Sequence, residues 1–208
     1  MLGSRCVNAV SFFNADTVYL DHAGTTLYPK SLIESFSREL MSNLFGNPHS
    51  ISASSQLSTQ RVDDIRVRAL RFFNADPDEF DLVFVANATA AIKLVVSALQ
   101  GLELGFWYGY HVDAHTSLVG ARELASAGNR CFSSDDEVDD WISELSSAQS
   151  DTVKLLGFPA QSNMNGRRLP LQWCEKVRSA SQRKGNVFTL LDAASLVSTS
   201  PLDLSDVS

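Results

Sequence analysis

The sequence predicts an α/β protein whose sheet is mainly parallel and flanked by helices. Three observations carry that prediction. From about Phe80 onward, compact β-prone runs alternate with longer segments of helical period. Polar residues follow each run before the next helix begins, as they do where parallel strands all end on one edge of a sheet. The composition, 44% hydrophobic and 20% charged, is that of a globular chain.

Taken in order, Leu82-Val83-Phe84-Val85 is a short apolar run and reads as a buried strand. Ala88 to Leu99 is continuous and rich in Ala and Leu, which predicts a helix packed on the sheet. Phe106 to Val112 is aromatic and β-prone, and Ser117 to Ala127 reads as the helix after it. Asp135-Asp136-Glu137 opens a further helix, with acidic residues where the helix dipole favours them. Thr152 to Phe158 reads as a strand, Leu171 to Arg183 as a helix and Val187 to Leu191 as a strand again. The Ser-rich patches Ser50 to Ser58 and Ser143 to Ser150 read as surface helix ends or loops. No repeat or coiled-coil heptad interrupts the series.

Composition also excludes several classes. A length of 208 residues suits one domain with a sizeable core, or at most two. No apolar run approaches the ~20 residues that span a bilayer, so a membrane protein is not expected. A net charge of −7 without a Lys/Arg block argues against nucleic-acid binding. Cys6, Cys131 and Cys174 are widely spaced and fit neither a disulfide framework nor a metal site. With a poor signal-peptide pattern over Met1 to Val10, the expected compartment is the reducing cytosol.

Four strand ends carry groups that could do chemistry. Asn87-Ala88-Thr89 lies where a strand turns into a helix, so Ala88 and Thr89 could offer free N–H groups and a hydroxyl to a phosphate. Thr89 could equally cap the helix. His115 could stack on a planar ring and move protons near neutral pH, or simply help start a helix. Asn163, in a stretch of Ser, Asn and Gly, could donate its amide to a ring oxygen or merely form a turn. Asp192 ends an apolar strand, where a carboxylate wants a partner; a protonated pyridine nitrogen and a helix N-terminus are the two choices. Together the four describe pyridoxal 5′-phosphate (PLP) held by a protein.

Several motifs then carry a resemblance. Tyr19-Leu20-Asp21-His22-Ala23-Gly24-Thr25-Thr26 resembles the opening segment of the class V aminotransferase and cysteine desulfurase superfamily. Its His-Ala-Gly form is similar to that of the eukaryotic molybdenum cofactor sulfurases. Gly46-Asn47-Pro48-His49-Ser50 with Ser54-Ser55, His115 to Arg122, Gln161-Ser162-Asn163 and Leu191-Asp192-Ala193-Ala194 extend the likeness from about Thr17 to Asp206.

The resemblance implies a type I PLP-dependent transferase large domain, incomplete at the C-terminus. Residues 1–75 would form a helical and loop segment of the active-site mouth, and residues 76–208 a partial PLP-binding large domain. Ala88 and Thr89 would hold the cofactor phosphate, His115 would stack over the ring, Asn163 would face its hydroxyl and Asp192 would pair with its nitrogen. Ser195 falls where relatives have a polar residue near that hydroxyl. The implied reaction takes sulfur from L-cysteine through an enzyme persulfide, releases alanine, and sulfurates the molybdenum cofactor of xanthine dehydrogenase and aldehyde oxidase. A homodimer is implied too, as is a separate C-terminal domain that receives the molybdenum cofactor.

Some features depart from the family pattern. The Schiff-base lysine would follow the last residues of this chain, and Lys30, Lys93, Lys154, Lys176 and Lys184 occupy no matching position. None of the three cysteines matches a sulfur carrier. Ala114 replaces a common polar residue, and the phosphate turn lacks glycine. The expectation is therefore that these residues alone do not turn over cysteine. The alternatives are a non-catalytic remnant that binds PLP weakly or not at all, and a cysteine desulfurase or selenocysteine lyase relative, which the His22-Ala23-Gly24 signature disfavours.

Overall fold

The computed structural model of the protein describes residues 18–22, 24–145, 151–181 and 186–206. Thr17, Ala23, Cys6, Lys184, the Met1 to Val10 start, the end of the second Ser-rich patch and the last residues of the helix predicted to Arg183 lie outside these. The chain forms two compact units, one reaching to Leu82 and the other starting at Val83.

The first unit is helical. Helix α1 (Lys30–Ser42) follows Pro29, whose fixed φ suits a helix entry, and α2 spans Ala53–Phe72. Ser52 caps α2 by accepting from the Ser55 amide at 3.2 Å. The Gly46 motif folds back onto this start: its amide donates to the Ser54 carbonyl at 3.0 Å and its carbonyl accepts from Ser58 Oγ at 2.7 Å. A Cβ at Gly46 would stand 2.6 Å from Ser54 Oγ, so the close approach requires glycine. Ser55 is fully buried, unlike the surface position its Ser-rich patch predicts, because this fold-back covers it. The Tyr19 motif is likewise a local turn, with the phenol donating to the carbonyls of Asp21 and Thr25 at 2.8 and 2.6 Å.

The second unit is the predicted α/β layer. Helix α3 (Ala88–Gln100) leads to β1 (Phe106–His111), which a one-turn α4 (Thr116–Val119) and β2 (Asn129–Phe132) follow. Then come α5 (Asp135–Leu145), β3 (Val153–Pro159), α6 (Trp173–Ser181), β4 (Val187–Asp192) and the short α7 (Ala194–Val197). The four strands pair in parallel in the order β2-β1-β3-β4. Alternation along β1 supplies both faces of the sheet. Phe106, Tyr108 and Tyr110 pack with Ile92 and Val96 of α3, whereas Trp107 and His111 face the α5 and α6 side, where Trp141 and Trp173 lie. Burying each large apolar side chain of these clusters contributes on the order of 1.5–3 kcal/mol. At Gly157 of β3 a Cβ would come 2.3 Å from the Tyr108 hydroxyl, so only glycine admits that ring.

Three expectations differ from the structure. Leu82 to Val85 forms no strand and lies outside the sheet, with Val83, Phe84 and Val85 exposed by 65%, 54% and 41%. A strand needs a neighbour to take up its backbone groups, and the β1–β4 ladder leaves this segment out. The single helix predicted over Ser117 to Ala127 is instead α4 followed by a 3-10 turn over Gly120–Leu124, split at the weak helix former Gly120. Strand β2 escapes the hydrophobic pattern because only Phe132 of its four residues is buried.

Candidate active site

The C-terminal ends of the strands form one edge of the sheet. The residues from Gly101 to Gly105 join α3 to the start of β1, so the N-terminus of α3 stands at the opposite edge, beside the strand ends. The helix begins at Asn87, whose side chain accepts from the Ala90 amide at 2.9 Å. The cap is therefore Asn87, and Thr89 is freed from the capping role it could have taken. The amides of Ala88 and Thr89 make no hydrogen bond among the described residues, and the half-buried Thr89 lies in the first turn. Such a helix start attracts an anion.

His115 follows β1 and starts α4. Its Nδ1 accepts from the Ser117 amide at 3.2 Å and lies 2.7 Å from Ser117 Oγ. Accepting at Nδ1 places the proton of the neutral ring on Nε2. Asp192 ends β4 half-buried, with Oδ1 accepting from the Ala194 amide at 3.0 Å and Oδ2 left over among the described residues. Its backbone carbonyl takes the Ala160 amide at 2.8 Å, tying the ends of β3 and β4 together. Ser195 is buried in α7 just behind. Ala114, Leu118, Ile92 and Leu190 belong to one apolar cluster, so the elements bearing Thr89, His115 and Asp192 rest on a common support. Asn163 is exposed in the turn after β3.

Burial keeps the Tyr108 phenol protonated, and its neighbours Tyr110 and Asp192 add to that effect. It donates to the Leu118 carbonyl at 2.9 Å, which steadies α4. Two features of this edge were not foreseen. The buried Gln161 Oε1 has no hydrogen-bond partner among the described residues. A charged group around His111 also joins residues far apart in the chain: Asp113, Asp135 and Arg167. Burial lowers the His111 pKa against the pull of Asp113 and Asp135, and Arg167 lowers it further. The adjacent HVD and DDE runs were the only local signal of this group.

The parallel sheet with helices on both faces and polar groups along its C-terminal edge is the large-domain fold of the type I PLP-dependent transferases. Residues 18–208 match the family described as Aminotransferase class-V, and the chain belongs to that family. It is 76% identical over 194 residues to the molybdenum cofactor sulfurase of Neosartorya fischeri, a match spanning 92% of this chain and 23% of that protein. It is similar in structure to a C-DES mutant with glycine covalently linked to the PLP cofactor, with a TM-score of 0.70 and 20% identity. That likeness covers 93% of this chain and 51% of the other. The cysteine desulfurase CsdA of Escherichia coli superposes with a TM-score of 0.69 at 22% identity, covering 96% of this chain and 50% of that one.

Proposed function

We propose that this chain is the N-terminal, cofactor-binding part of a PLP-dependent molybdenum cofactor sulfurase. Its reaction takes sulfur from L-cysteine, releases alanine and passes the sulfur to the molybdenum cofactor of xanthine dehydrogenase and aldehyde oxidase. One observation carries this reading: the open start of α3, His115 and Asp192 share one sheet edge in a chain 76% identical to such a sulfurase. The acceptor, the homodimer and the cytosolic location belong to the same proposal for the full-length protein. Residues 76–208 carry every group assigned to the cofactor, and residues 1–75 carry none.

The residues present fit PLP. The unpaired amides of Ala88 and Thr89, at the positive end of a 13-residue helix, suit a phosphate dianion, and the Thr89 hydroxyl adds a donor. Bound PLP supplies an electron sink for the bonds broken in cysteine. His115 is held at Nδ1 by Ser117, which leaves Nε2 to meet the ring or move a proton. The second oxygen of Asp192 accepts from a protonated ring nitrogen and keeps it charged. Asn163 donates to the ring hydroxyl, and Ser195 adds a polar group close by.

Of the five lysines, four lie among the described residues and Lys184 lies outside them. Lys30 pairs with Glu34, Lys176 pairs with Asp139, Lys154 lies within β3, and Lys93 is on the exposed side of α3. The same proposal holds that residues 1–208 by themselves bind the cofactor without a covalent bond and do not turn over cysteine. Calorimetric titration of PLP into wild type and Asp192→Ala tests the site. Loss of a charge-assisted hydrogen bond, worth about 1.5–3 kcal/mol, should weaken binding by about 10- to 100-fold. Equal affinities would refute the assignment, and cysteine-dependent alanine formation by residues 1–208 would refute the inactivity.

A further inference from the structure

The turn that carries Asn163 is built to be aimed. Within it, the Ser162 amide donates to the Arg167 carbonyl at 2.8 Å, the Met164 amide donates to Ser162 Oγ at 3.3 Å, and the Arg167 amide donates to Asn165 Oδ1 at 2.9 Å. Gly166, at φ 73°, closes the turn in a conformation that glycine adopts without strain. This preformed unit ends in the Arg167 guanidinium, which spans two carboxylates from different elements. Nη1 donates to Asp113 Oδ2 at 3.0 Å and Nη2 donates to Asp135 Oδ2 at 2.5 Å. Asn165 Nδ2 adds a second bond to Asp113, at Oδ1 and 3.1 Å.

Asp113 lies two residues before His115, in the loop that leaves β1. The Asp113 amide donates to His111 Nδ1 at 3.1 Å, and the Ala114 amide donates to the His111 carbonyl at 3.0 Å. His111 itself is fully buried. Asp135 opens α5, and its buried Oδ1 stands 3.3 Å from His111 Nε2, with neither atom hydrogen-bonded among the described residues. Arg167 thus joins the Asn163 turn to the His115 loop and to the head of α5.

The Arg167 side chain is 42% exposed. Ion pairs in such surroundings add little stability, so what this one contributes is geometry. A planar fork holding two carboxylates sets angle as well as distance, which an ammonium cannot do. We propose that Arg167, acting with Asp113 and Asp135, is a positioning residue that sets the placement of Asn163 relative to His115 at the cofactor ring. This inference rests on the PLP reading above.

The test uses the full-length protein and two readouts: the PLP dissociation constant and the visible circular dichroism of the bound cofactor, which follows ring orientation. Misplacement by about 1 Å can cost about 100-fold in rate, and the loss in binding should be smaller. Arg167→Met should weaken PLP binding by about tenfold and change the dichroism, with the melting temperature little altered. Arg167→Lys should fall between it and wild type, and it carries the test if Arg167→Met does not melt cooperatively. In an Asn163→Ala background the Arg167→Met loss should shrink, because one of the groups it positions is gone. An equal loss in both backgrounds would mean a merely structural role and would overturn the proposal. Unchanged affinity and dichroism in both Arg167 variants would also overturn it, while a loss in Asp192→Asn measured alongside would leave the cofactor reading standing. No effect in Asp192→Asn either would remove the cofactor reading and this inference with it.

Discussion

Two polar groups stand on the same sheet edge and are treated in opposite ways. Around Arg167, the guanidinium and the Asn165 amide are matched to the carboxylates of Asp113 and Asp135, with only Asp135 Oδ1 and the neighbouring His111 Nε2 left without a hydrogen bond among the described residues. At the head of α3, Asn87 serves the Ala90 amide and leaves those of Ala88 and Thr89 open. The difference separates what holds a site from what meets a ligand. Matched groups have little left to offer an incoming molecule, whereas open amides at a helix start gain most when an anion arrives.

Both groups depend on the sheet beneath them, so the largest effect should come from removing that support. Gly157→Ala places a methyl group against the Tyr108 ring, whose hydroxyl braces α4. Overpacking of this kind costs about 1–3 kcal/mol, and chemical denaturation should register a lower midpoint. Little change in midpoint would show that β1 and β3 can move apart, and that the support is softer than its packing suggests.

A smaller effect separates the two groups. Asn87→Ala removes the α3 cap and should cost about 1 kcal/mol, measured in the same way. PLP binding should weaken with it as the first turn frays, while the circular dichroism of the folded chain stays near wild type. If stability fell and PLP affinity did not, the open end of α3 would not be where the phosphate sits.

The smallest effect concerns pH. Burial lowers the His111 pKa, so the folded chain binds fewer protons there than the unfolded chain does. Stability should therefore decline as pH falls through the ordinary histidine range near ~6.5, with no contribution from this group above it. Asp113 and Asp135 pull the other way, which keeps the effect small. Comparing urea midpoints between pH 8 and pH 5 for wild type and His111→Gln isolates it from the carboxylates. A steeper acid loss in the variant would reverse the assigned sign.

Much of the fold was legible wherever an element carries its own signal. Strands β1, β3 and β4 and helices α3, α5 and α6 each contain enough apolar residues at the right period to be read alone. Where the signal lies in a neighbour, reading failed. Strand β2 has one buried residue and exists because β1 pairs with it. Leu82 to Val85 has the composition of a strand and lacks a place in the ladder. At the site, the residue types after each strand were visible, but both Asn87 and Thr89 fit a helix start, and geometry gave the cap to Asn87. Arg167 lies 54 residues from Asp113 and 32 from Asp135, beyond any local pattern.

The sequence by itself determined the α/β class and put His115, Asn163 and Asp192 after strands, because hydrophobic period and turn chemistry act over a few residues. Ala88 and Thr89 open α3 with no strand of the sheet before them, and Ser195 rests on the family resemblance alone. Only the tertiary structure decided which amides of α3 stay open, which strands pair and how Arg167 ties two loops together. Those outcomes depend on hydrogen bonds and ion pairs between residues that meet only once the chain has packed.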